Sequence, residues 1–74
     1  MSLQRYYINQ NAQYHDGVHE IHKDDGTCPY PPQLENRRDL GWHSSCVEAA
    51  KAASNLGYQR NDGCYWCNKP CHTR

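Results

Sequence analysis

The sequence predicts a small α+β fold, an antiparallel sheet of two to three strands with one helix and a C-terminal cysteine knuckle, on three observations. Residues 18–23 alternate with period two, whereas residues 45–56 carry apolar side chains at helical spacing. The apolar complement is thin: 74 residues hold no Phe, one Met and, as aliphatics, only Leu3, Leu34, Leu40, Leu56, Ile8, Ile21, Val18 and Val47. A core of that size ordinarily needs a disulfide, a metal or a partner to hold it. The third observation supplies a candidate staple, the run Cys64-Tyr65-Trp66-Cys67-Asn68-Lys69-Pro70-Cys71-His72. A Cys-x-x-Cys turn presents two thiolates on one side of the backbone at the spacing of a tetrahedral zinc ion. Structural zinc supplies about 10 to 16 kcal/mol of apparent binding free energy, as much as the net stability of an ordinary domain.

Taken in order, Gln4–Asn9 holds Tyr6, Tyr7 and Ile8 and reads as a first strand. The polar stretch after it ends in Asp16-Gly17, a turn signal. Residues 18–23 form a second strand, antiparallel to the first, with Val18, Glu20 and His22 on one face and His19, Ile21 and Lys23 on the other. Asp24-Asp25-Gly26-Thr27 turns the chain. Residues 28–36 contain Pro29, Pro31 and Pro32, which remove donors and fix φ, so this segment is neither helix nor central strand. Residues 37–42 offer a third strand. The helix over 45–56 opens on a capping box, Ser45-Cys46-Val47-Glu48; its apolar face is Cys46, Ala49, Ala50, Ala53 and Leu56, and Gly57 stands at C′. Beyond Gly57 the chain reads as loop and knuckle. No repeat, linker or second domain is visible, so residues 1–74 are expected to form one domain.

Composition narrows the function classes. Eight Lys and Arg balance eight Asp and Glu, so no global field selects nucleic acid or a basic partner. Whole-chain disorder ordinarily goes with high net charge and few aromatics, unlike this composition. The first residues carry no apolar leader segment, and no stretch reaches membrane-span length. The expected compartment is therefore cytoplasmic, where five cysteines read as metal ligands and buried thiols rather than as disulfides. The odd count agrees.

Cys64 and Cys67 are the primary ligand pair. A dithiol redox pair would be expected to open a helix in a βαβ unit, and none follows Cys67. Cys28, closing a turn after a strand, and His22, six residues earlier, are candidates for the remaining positions; Cys71, His72 and Cys46 are alternatives, with Cys46 better suited to be a buried thiol on the helix. Two motifs fail on geometry. His19-Glu20-Ile21-His22 lacks the four-residue spacing and the helix of a zinc protease, and on a strand its histidines point to opposite faces. Cys67-Asn68-Lys69-Pro70-Cys71-His72 has one spacer too many for haem attachment.

The order of residues from His22 to Cys67 resembles the short zinc-binding domain of Ada-type DNA alkylation-repair proteins and related small domains appended to nucleases. The resemblance is carried by Cys28-Pro29-Tyr30, a Pro-bearing loop, Glu35-Asn36-Arg37, a short strand, an alanine-rich helix, Gly57-Tyr58 and the Cys64/Cys67 pair. The closing Cys-His-Thr run is also similar to that of small bacterial Cys/His-rich proteins. The Ada-type resemblance implies zinc on His22, Cys28, Cys64 and Cys67. In that family the first ligand, a cysteine, accepts a methyl group from DNA; His22 stands in its place, and an imidazole cannot take over that transfer.

Two functions from different classes follow. The first is a non-enzymatic zinc-stabilised binding module contacting DNA or RNA, with Arg37, Arg38, Arg60, Lys69 and Arg74 as phosphate contacts and Tyr58, Tyr65 and Trp66 as stacking surfaces. The second is a thiol-based redox or alkyl-scavenging protein in which Cys71 or Cys46 is a free nucleophile beside the metal. Four protein ligands would leave no open position for a hydrolytic water.

Overall fold

The computed structural model describes residues 2–12 and 17–73. It is an α+β fold in which a four-stranded mixed sheet carries one helix on one face. The strands are β1 (Gln4–Asn9), β2 (His19–Lys23), β3 (Arg37–His43) and β4 (Asn61–Gly63), in the order β3-β1-β2-β4. β1 pairs antiparallel with both β2 and β3, with a register shift between Tyr6 and Tyr7 against β3. The parallel pairing of β4 with β2 corrects the expected two to three antiparallel strands. Asn61-Asp62-Gly63 has none of the residues that favour strands; long-range pairing with His19, Glu20 and Ile21 makes it one. Of the Asp16-Gly17 turn, Asp16 lies outside the described residues.

The helix α1 (Cys46–Asn55) begins and ends as its sequence dictates. Ser45 Oγ accepts a hydrogen bond from the Glu48 amide at 3.4 Å, while the Glu48 carboxylate faces Lys51. At the other end Tyr58 N donates to Ala53 O and Gly57 N to Ser54 O, both at 3.0 Å, a Schellman motif with Gly57 at φ 104°. Ala49 and Ala53 are fully buried against Tyr6, Ile8, Ile21 and Leu40, with Cys46, Ala50 and Tyr58 packed at the edge. Leu56, expected on this apolar face, is instead the exposed C-cap residue.

Strand alternation then divides the chemistry. Tyr6, Ile8 and Ile21 face the helix, so Tyr7, Glu20 and His22 face the other way. Tyr7 lies directly opposite His22, and Arg37 opposite Asn9, on that second face.

Candidate metal centre

Four side chains converge on the face opposite the helix. His22 comes from the end of β2, Cys28 from the loop after it, and Cys64 and Cys67 from the turn after β4. One donor atom from each lies within 4.8 Å of all the others. His22 Nδ1 is 3.5 Å from both Cys28 Sγ and Cys67 Sγ, and Cys28 Sγ is 3.7 Å from Cys64 Sγ. A tetrahedron with bonds of about 2.3 Å to sulfur and 2.0 to 2.1 Å to nitrogen has edges of roughly 3.8 Å between sulfurs and 3.5 Å between nitrogen and sulfur. The three distances match those edges, and the donor set fits a metal ion.

Two opposing influences act on the sulfurs. Burial pushes the Cys64 and Cys67 thiols up, but the amides of Cys67 and Trp66 donate to Cys64 and the amide of Lys23 donates to Cys67, each favouring a thiolate. Burial, helped by the positive charge of Arg37, lowers His22 from its ordinary 6.5 to about 4, so the imidazole is neutral at physiological pH, as a ligand must be. Since Nδ1 faces the sulfurs, Nε2 is the outward nitrogen. It is fully buried without a hydrogen-bond partner, and its nearest carboxylate oxygen is Glu20 Oε1 at 3.7 Å. A carboxylate behind a ligating histidine holds ring orientation and tautomer.

The ring of His22 stacks on Tyr7 at 5.2 Å and 14°, and the Arg37 guanidinium lies 4.7 Å over the same Tyr7 ring. Burial raises the Tyr7 hydroxyl to about 12. Tyr7 and Glu20 were missed as parts of a site, and Arg37 was expected as a phosphate contact rather than beside His22. The alternation of β2 was the available signal for Glu20, which shares a face with His22, whereas Tyr7 and Arg37 arrive only through cross-strand pairing.

The knuckle is locked from below. Cys64 N donates to Ile21 O at 2.9 Å, Asn68 N to Cys64 O at 2.9 Å, and the fully buried Asn68 side chain to Ile21 O at 3.3 Å. A Cβ on Gly63 would lie 2.6 Å from Asn68 O and 2.9 Å from Cys71 Cβ, so glycine is required by close approach.

The alternative ligands lie elsewhere. Cys46 and Cys71 are joined in a disulfide across 25 residues, with Cα atoms 6.2 Å apart. This corrects the expectation of reduced cysteines: Cys46 is not a buried thiol, and neither residue is the spare nucleophile that a thiol-based function would use. Nothing in the spacing of the two residues announces the bond; it depends on the helix start packing beside the C-terminal turn (Lys69–Cys71). His72 Nδ1 donates to Gly63 O at 2.9 Å, and Thr73 donates twice to Asp62 Oδ1.

The expected nucleic-acid contacts separate into two groups. Tyr58 is half-buried against the core and edge-on to His19, and Arg37 contacts Tyr7 and Pro32 O and lines a small cavity beside Cys28. Trp66 and Tyr65 are exposed by 59% and 45% and touch each other and, through Trp66, the exposed Tyr30; Lys69 lies over Tyr65 at 5.1 Å. Arg74 lies outside the described residues. Among the described residues no helix is long and apolar enough to cross a membrane. No protein-family model matches the chain, and no curated protein or solved structure matches it.

Proposed function

We propose that this chain is a non-enzymatic, zinc-stabilised binding module whose knuckle aromatics contact single-stranded DNA or RNA. The observation that carries the zinc reading is the agreement of the donor spacings at His22, Cys28, Cys64 and Cys67 with a tetrahedral Cys3His site. Three sulfurs and one imidazole suit zinc over calcium or magnesium, which take oxygen ligands. Zinc supplies folding free energy there, and four protein ligands leave it no open position for catalysis. The Ada-type resemblance points to DNA. The turn that places Cys64 and Cys67 inward leaves Tyr65 and Trp66 outward, beside Tyr30 and Lys69, giving aromatic faces for bases and a cation for phosphate.

Metal analysis with and without chelator, followed by NMR, tests the first part: one zinc per chain and collapse of dispersion on chelation are expected. A well-dispersed spectrum with no bound metal would overturn it. Titration of single-stranded oligonucleotides at low salt, read by Trp66 fluorescence and repeated in Trp66→Ala, tests the second. Binding that weakens with salt and drops about tenfold or more in the variant is expected. No binding at low salt would overturn the nucleic-acid reading.

A further inference from the structure

We infer that Cys28 is a peroxide-reactive site, and that its oxidation by a small hydroperoxide leads to a Cys28–Cys64 disulfide that dismantles the metal centre. The four candidate ligands are not equally shielded. His22, Cys64 and Cys67 are buried, whereas Cys28 is only half-buried and lines a cavity of about 90 Å³ together with Tyr7, Lys23, Asp24 and Arg37. That volume holds a few waters or hydrogen peroxide and is far below the roughly 300 to 1,000 Å³ of pockets for larger ligands. Size therefore selects a small reactant. Two of the lining side chains, Lys23 and Arg37, are cationic, and such groups stabilise the oxyanion that leaves when a peroxide bond breaks.

The steps balance. The Cys28 thiolate attacks one peroxide oxygen; an S–O bond forms, the O–O bond breaks, and hydroxide or alkoxide leaves and takes a proton from solvent. Cys64 Sγ, 3.7 Å away, then attacks the sulfenic sulfur; an S–S bond forms, the S–O bond breaks and a second hydroxide leaves to become water. Two thiolates lose two electrons, and the hydroperoxide is reduced to water or an alcohol plus water. Only His22 and Cys67 then remain as ligands, so the ion is released. The Cys46–Cys71 disulfide takes no part.

The release step rests on the zinc reading, whereas the selectivity of Cys28 does not, and one experiment separates them. The full chain as purified, with its zinc content measured, is treated with stoichiometric hydrogen peroxide, trapped with a sulfenic-acid-specific dione, and mapped by peptide mass spectrometry. Untrapped samples are mapped for disulfides, with zinc followed by a chromogenic chelator. Cys28 is expected to carry about ten times the label of Cys64 and Cys67. Without trap, a Cys28–Cys64 bond is expected to appear together with zinc release. First labelling at Cys64 or Cys67, equal labelling of the three, or no labelling at all would overturn the inference. Absence of zinc with labelling still confined to Cys28 would overturn the metal reading and leave the reactive cysteine standing.

Discussion

The two faces of the sheet are built from the same strands by opposite means. On the helix face, Tyr6, Ile8, Ile21 and Leu40 close against Ala49 and Ala53, and stability follows from the apolar area removed from water. On the other face, burial takes in polar groups: His22 is 1% exposed with Nε2 lacking a hydrogen-bond partner, and Asn68 is equally buried with Oδ1 in the same condition. Buried polar atoms cost free energy unless something answers them. The first face is thus held by apolar packing, while the second gathers a donor set that fits a metal ion. Ile21 and His22, adjacent in β2, belong one to each.

Breaking the metal face should have the largest effect. Cys67→Ser removes one of the two most deeply placed sulfurs, and loss of native NMR dispersion at ordinary zinc concentrations is expected, because the metal contributes about 10 kcal/mol or more. Ile8→Ala, on the helix face, should cost about 2 to 5 kcal/mol in denaturant unfolding of the zinc-loaded protein and leave its zinc stoichiometry unchanged. If the alanine variant loses zinc at once, the two faces are not separable. The Cys46→Ala, Cys71→Ala double variant should lose roughly 3 to 4 kcal/mol, the chain-entropy value for a loop of this length, again with zinc retained.

Acid sharpens the contrast. Burial holds the His22 imidazole at about 4 against an ordinary 6.5, so the folded state binds fewer protons than the unfolded one between these values. Its contribution is full above pH 6.5 and disappears as pH falls toward 4. Urea midpoints of the zinc-loaded protein should therefore fall as pH drops from 6.5 toward 4. A midpoint that holds level down to pH 4 would contradict the placement of His22. The smallest effect is expected at the second layer: Glu20→Ala should weaken zinc binding about tenfold in competition with a chelator, with the unfolding midpoint of fully zinc-saturated protein little changed.

Much of the fold was legible because local rules and tertiary packing agree. The alternation of residues 18–23, the Ser45 cap and the Gly57 terminus each act over a few residues, and each stands where the sequence placed it. His22, Cys28, Cys64 and Cys67, each named from the sequence as a candidate, lie together. β4 was not legible, because Asn61-Asp62-Gly63 has no intrinsic strand preference and is ordered by β2. Leu56 was misplaced because helical periodicity runs on past the point where the helix stops.

By itself the sequence determined a small α+β chain with one well-capped helix and a cysteine turn shaped for an ion, since spacing, capping and alternation are properties of neighbouring residues. Only the tertiary structure decided that Cys46 and Cys71 bond to each other, that Glu20, Tyr7 and Arg37 surround His22, and that Cys28 is the least buried cysteine residue of the group. Those outcomes depend on which residues the sheet register and the packing of α1 bring together across long separations, and no local pattern encodes that distance.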